Sequence, residues 1–174
     1  MDAFDVLGLA PTLDLDLKLL EQRYRDLQRA LHPDKFTQAG ASERRASLSR
    51  AVSVNDAYRK LRDELARAEL LFARFGGELS ERSKPADPAL LMEIMELREQ
   101  LSEARGAANT GKRQKLAEFV REQQQAAFAS LRGAFAELAG GSTSALERAG
   151  SALSRLRYYR RFLDEVAALE EALD

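Results

Sequence analysis

The chain has 174 residues, 45% hydrophobic and 32% charged, and its 27 basic side chains nearly balance 28 acidic ones for a net charge of −1. That is enough apolar material for one medium domain or two small ones, without the charge excess that a nucleic-acid partner selects. The lack of cysteine and the single histidine exclude disulfides, thiolate chemistry, a self-ligated iron–sulfur cluster and a His-rich metal site; no cofactor is expected, and with no run of about 18 apolar residues no membrane span is expected either.

The start, Met1-Asp2-Ala3-Phe4-Asp5, is acidic and lacks the apolar stretch of a secretory signal, so a cytoplasmic protein is expected. Four prolines and ten glycines punctuate an otherwise helical pattern poor in β-branched residues. A short element over Phe4 to Leu9 ends at Gly8-Leu9-Ala10-Pro11. A second helix runs from a cap at Asp14 or Asp16 to about Leu31, with Leu17, Leu20, Tyr24, Leu27 and Leu31 on one face. His32 precedes Pro33, which pushes it out of the α region and stops the helix. After a loop of about ten residues, Ser42 reads as the cap of a long third helix. Its stripe is Ala51, Val54, Tyr58, Leu61, Leu65, Ala68, Phe72 and Phe75, and Gly76-Gly77 closes it. These helices predict an antiparallel hairpin with Phe4 and Leu7 plugging one end.

Residues 78–88 read as a linker or corner, and Asp87-Pro88 as an N-cap and first-turn pair. Three helices follow, over about Ala89 to Arg105, Lys112 to Leu138, and from a Ser144-Glu147 capping box to Leu173. Short loops between them predict an antiparallel three-helix bundle. The fold expected is therefore all-α, with units over residues 1–76 and 89–174 joined by residues 77–88.

Charge is distributed unevenly. Lys18 to Lys35 carries five basic against three acidic side chains, and Asp87 to Glu103 one basic against five acidic. Two patches of opposite sign point to two different partners. On the predicted fourth helix Leu90, Ile94, Leu97, Leu101 and Ala104 share the core face. Leu91, Met92 and Met95 fall outside it and run into Glu96, Glu99 and Glu103. Exposed methionine adapts to binding surfaces, and an apolar cluster with a charged rim has the composition of an interface.

His32-Pro33-Asp34 follows a basic amphipathic helix containing Tyr24-Arg25 and Leu27, and precedes Lys35-Phe36 and then Asn55-Asp56-Ala57-Tyr58 and Leu61. This arrangement resembles a J-domain over about Asp2 to Phe75. The resemblance implies docking on a DnaK-type chaperone through His32, Pro33 and Asp34, with Lys18, Arg23, Arg25, Arg29 and Lys35 supplying the basic face. Asp34 is suited to accept a charge-assisted bond from an arginine of the chaperone. Asp26 departs from the pattern, standing where general J-domains often carry a basic residue, and this narrows the chaperones expected to pair.

Leu91-Met92-Glu93, Met95-Glu96-Leu97-Arg98-Glu99, Ala66-Arg67-Ala68-Glu69 and Leu153-Ser154-Arg155-Leu156-Arg157-Tyr158 extend the likeness to nearly the whole chain. Here it resembles the HscB family, the dedicated J-proteins of bacterial iron–sulfur assembly. The resemblance implies that Leu91, Met92, Met95 and Tyr158, with Glu96, Glu99 and Glu103, bind the scaffold IscU. It also implies that the chaperone is HscA and that the protein is an adaptor performing no chemistry of its own; a monomer is the default expectation. The lack of a cysteine-rich N-terminal extension fits a bacterial form. Three other readings stand beside this one: a J-protein serving a different client with a general DnaK-type chaperone, a structural helical protein that self-assembles, and an enzyme. The third would use His32 and Asp34 as an acid–base pair, but no convergent polar set accompanies them.

Overall fold

In the computed structural model, residues 1–37, 40–78, 88–106, 109–142 and 144–173 are described, and they form seven α-helices and a 3-10 turn with no strand. The chain divides into two units, Met1–Arg74 and Phe75–Asp174. The predicted corner falls mostly on residues 79–87, which lie outside the described residues. No helix among the described residues is long and apolar enough to cross a membrane.

In the first unit α1 (Ala3–Leu7) is short but doubly capped. The Asp2 carboxylate accepts from the N–H groups of Phe4 and Asp5 at 3.0 and 3.2 Å, and the Asp5 carboxylate accepts from the Asp2 N–H at 2.9 Å. Gly8 ends it at φ 62°, a left-handed conformation that favours glycine. α2 (Leu17–Ala30) takes Asp16 rather than Asp14 as its cap, through a 2.8 Å bond from the Lys18 N–H. Leu20 is buried and Tyr24, Leu27 and Leu31 are half-buried, but Leu17 is exposed. It lies in the first turn, and Leu9 and Leu13 of the preceding segment are the buried side chains there instead.

The predicted single third helix is two. α3 (Ala41–Arg62) and α4 (Glu64–Arg74) are separated by Asp63, whose backbone is extended at φ −80°, ψ 120°. The cause is polar. Asp63 caps α4 by accepting from the Ala66 N–H at 2.9 Å. The buried Arg67 guanidinium takes the Leu61 carbonyl, freed by the break, at 2.5 Å and the Leu13 carbonyl at 2.8 Å. Hydrophobic periodicity cannot register such a break, because Leu61, Ala68 and Phe72 are buried on either side of it. The start of α3 also differs from expectation: Gly40 occupies the cap and Ser42 lies inside the first turn, since the Gly40 carbonyl already accepts from the Arg44 N–H at 3.0 Å.

In the second unit α6 (Thr110–Ala139) and α7 (Ala145–Glu171) pack along their length, burying Val120, Leu131, Leu153, Leu156, Tyr159 and Phe162. α5 (Pro88–Glu103) lies against both through Leu90, Leu97 and Leu101. Gly140-Gly141 breaks the chain as expected, with Gly141 at φ 91°. The capping box expected at Ser144 and Glu147 does not form. Ser144 is itself helical at φ −65°, ψ −21°, so its hydroxyl is not aimed at the first-turn N–H groups and pairs with the Ser142 hydroxyl at 3.1 Å.

Candidate partner-binding sites

The His32-Pro33-Asp34 segment is short and locally determined. His32 is extended at ψ 133°, as a residue before proline must be, and Pro33 opens a 3-10 turn over Pro33–Phe36. The His32 carbonyl accepts from the Lys35 N–H at 3.0 Å, and its Nδ1 accepts from the Asp34 N–H at 3.3 Å. The Thr37 hydroxyl closes the turn on the Asp34 carbonyl at 3.2 Å, and the Ser47 hydroxyl of α3 donates to the Leu31 carbonyl behind it at 3.4 Å. His32, Pro33, Asp34 and Lys35 are all exposed, and the Asp34 side chain is 86% accessible.

Lys18, Arg23, Arg25 and Arg29 are exposed along α2, but they are not equivalent. Arg25 is held to Glu21 at 2.8 Å and Arg29 to Asp26 at 3.1 Å. Asp26, the departure noted above, thus draws off part of the basic charge. Behind this face lies a polar seam between α2 and α3. Tyr24 and Tyr58 stack with centroids 4.2 Å apart. The Asn55 Oδ1 accepts from the Tyr24 hydroxyl at 3.0 Å and from the Gln28 amide at 2.6 Å. The Tyr58 hydroxyl donates to Glu21 at 2.5 Å, which with the Arg25 bond holds the Glu21 carboxyl below its usual range and raises Tyr58. Tyr24, Asn55 and Tyr58 therefore fix the spacing of the two helices that carry the loop.

α5 presents the second candidate surface. Leu91, Met92 and Met95 are 45%, 64% and 71% exposed, and Glu96, Glu99 and Glu103 are exposed on the same side. Tyr158 of α7 is half-buried, and its hydroxyl donates to the Ile94 carbonyl at 3.3 Å. The acidic side chains differ in what they meet. Glu103 bonds Lys112 at 2.7 Å, which holds its carboxyl below the usual range. Glu93, counted in the acidic stretch of the sequence, turns inward instead. It accepts from the Tyr159 hydroxyl at 2.7 Å and from Arg155 at 2.9 Å. Burial, with the Glu93 bond added, pushes the Tyr159 hydroxyl up to about 12.

The burial of two arginines escaped the sequence reading, Arg67 beside the α3/α4 break and Arg113 in the first turn of α6. Arg113 is 2% exposed and donates to the Ala104 and Gly106 carbonyls, both at 2.9 Å, and to the Thr110 hydroxyl at 3.1 Å. Ala104 and Gly106 lie just past the end of α5, where carbonyls lack helical partners and a cation is favourable. The available signal was weak, since Arg113 falls beside the gap between two helical patterns and reads as an ordinary solvated residue.

Comparison with known proteins places both surfaces in context. Residues 86–167 match the family described as the HSCB C-terminal oligomerisation domain. The chain is 35% identical over 178 residues to the co-chaperone protein HscB homolog of Shewanella halifaxensis, covering 99% of each. It is 41% identical over 104 residues to that of Vibrio vulnificus, covering 59% of this chain and 61% of that protein. Among solved structures it resembles chaperone HscB from Vibrio cholerae, with a TM-score of 0.84, 32% identity and full coverage of both chains. It also resembles human co-chaperone HscB, with a TM-score of 0.84, 29% identity and coverage of 97% of this chain and 81% of that one.

Proposed function

This chain belongs to the HscB family of co-chaperones, and we propose from that premise that it binds the scaffold IscU, delivers it to the DnaK-type chaperone HscA and stimulates HscA's ATPase in the cytoplasm. Residues 1–76 act as the J-domain and residues 89–174 as the scaffold-binding bundle. The observation that carries the reading is the outer face of α5, where Leu91, Met92 and Met95 stand exposed beside Glu96 and Glu99. An apolar patch with an acidic rim is costly to leave in water without a partner, and it suits a client surface of apolar and basic character. Leu91, Met92, Met95 and Tyr158 supply the apolar contact, and Glu96, Glu99 and Glu103 the charge.

His32, Pro33 and Asp34 deliver the signal to the chaperone. The rigid turn holds the open Asp34 carboxylate for a charge-assisted bond from a chaperone arginine. Lys18, Arg23 and Lys35, with Arg25 and Arg29 in weaker supporting roles, steer docking on an acidic surface. Holding client and chaperone together raises the local concentration of one at the other, so joint binding exceeds either contact alone.

The test is steady-state ATP hydrolysis by purified HscA and, separately, DnaK, each with this protein and with or without IscU, and with Asp34→Asn in parallel. Synergy with IscU on HscA, lost in Asp34→Asn, is expected. Stimulation of DnaK regardless of IscU would keep the J-domain role and remove the iron–sulfur assignment. Stimulation of neither chaperone would remove both.

A further inference from the structure

The apolar side chains of α5 do not by themselves decide which of its faces turns inward. Between Pro88 and Met95, Leu90 is buried and Ile94 half-buried, while Leu91, Met92 and Met95 are exposed. By apolar area alone, this half of the helix would gain more from turning its outer side chains in than from its present setting. Leu97 and Leu101 hold the far half of the helix inward; within this half, what opposes the rotation is polar. At about 100° per residue, Met92 lies about 100° around the helix from Glu93, and Leu91 and Met95 about 160°. Pointing Glu93 inward therefore points Leu91 and Met95 outward and Met92 to the side away from the core.

Glu93 is gripped at both carboxylate oxygens by α7. Its Oε1 accepts from the Tyr159 hydroxyl at 2.7 Å and its Oε2 from Arg155 Nη1 at 2.9 Å. One residue on, the Ile94 carbonyl accepts from the Tyr158 hydroxyl at 3.3 Å. Tyr159 is fully buried, and Arg155 and Glu93 are both about three-quarters covered. Rotating α5 would take from the buried Tyr159 hydroxyl and the largely covered Arg155 guanidinium the carboxylate that both hold, and half-broken buried polar pairs are strongly unfavourable. Such pairs fix register at the expense of hydrophobic burial.

We propose that Glu93, clasped by Tyr159 and Arg155, is a positioning residue that sets the rotation of α5 and keeps Leu91, Met92 and Met95 outward for the scaffold. The identity of the partner rests on the function proposed above; the outward setting of the methionines does not.

The chain's three methionines, Met1, Met92 and Met95, provide the assay on the full-length protein. Oxidation by dilute hydrogen peroxide follows exposure, and peptide mass analysis reads each site against the fully exposed Met1. In the parent protein Met92 and Met95 should oxidise within about twofold of Met1. In Glu93→Leu both rates should fall about tenfold relative to Met1, affinity for purified IscU should fall about tenfold or more, and the melting temperature should fall as Tyr159 and Arg155 lose the carboxylate they share. A purely structural role for Glu93 would lower the melting temperature too, but leave the oxidation ratio alone. Glu93→Gln, which keeps the length of the side chain, should shift both readouts the same way by a smaller factor. Combining Glu93→Arg with Arg155→Glu should return both toward the parent values. Unchanged methionine rates in both Glu93→Leu and Glu93→Gln overturn the proposal whether or not IscU binds. If the parent protein does not bind IscU, the partner assignment falls, and the methionine rates still decide the positioning role.

Discussion

The two candidate surfaces are built on different principles. The His32-Pro33-Asp34 turn is held almost entirely by its own backbone: a pre-proline residue, a proline, a side-chain cap and two bonds within five residues. The outer face of α5 has no such local definition. It is one side of a regular helix, and which side it is depends on Glu93 meeting Tyr159 and Arg155, more than sixty residues away in sequence. A loop site of the first kind is robust to changes elsewhere in the fold, while a helix-face site of the second kind is only as well placed as the pairs that orient it.

That difference can be broken deliberately, most drastically at Asp34. Asp34→Asn keeps the turn, because the bonds that define it use the Asp34 backbone and not its carboxylate. HscA stimulation should disappear while IscU affinity, measured by calorimetry, stays within about twofold. The reciprocal change, Met92→Ala with Met95→Ala, should weaken IscU about a hundredfold, or about 2.7 kcal/mol, and leave unaided stimulation of HscA intact. If both variants lose both activities, the two surfaces are not separable.

Arg113→Met asks whether the α5 surface depends on remote anchoring. Losing the guanidinium strands the Ala104 and Gly106 carbonyls past the end of α5, which should destabilise the second unit by about 3 kcal/mol. Hydrogen exchange should quicken in α5 and stay unchanged in α2. Tyr24→Phe, which loses the bond to Asn55 but keeps the stack on Tyr58, should cost the first unit about 1 kcal/mol in urea titration.

The smallest effect expected is a pH dependence at the edge of the first unit. Arg74 bonds Asp2 at 2.5 Å and Asp5 at 3.2 Å. The Asp2 backbone N–H, then Arg74, hold the Asp5 carboxyl below its ordinary value of 3.8. A carboxyl lowered in the folded state stabilises the protein above that value and loses the contribution as pH falls through the folded one. Thermal melts of Arg74→Ala and its parent should therefore differ slightly at neutral pH and converge as the pH falls below the ordinary carboxyl value. The groups are exposed, so added salt should shrink the gap.

Much of this was legible in the chain itself because it is written in neighbouring residues. The stop at His32-Pro33, the cap at Asp16, the punctuation at Gly8 and Gly141 and the core faces of α5 and α2 beyond its first turn follow from propensity and period. So does the placement of Leu91, Met92 and Met95 off the core stripe, since angle around a helix depends on sequence spacing alone. The break at Asp63 was hidden because apolar spacing continues through it; what breaks the helix is Arg67 reaching back to Leu13 and Leu61. Helical angle sets Glu93 nearer the core stripe than Glu96 or Glu99, but nothing in the sequence names the side chains it meets. Only the fold brings it to Tyr159 and Arg155, because those bonds join helices more than sixty residues apart in sequence.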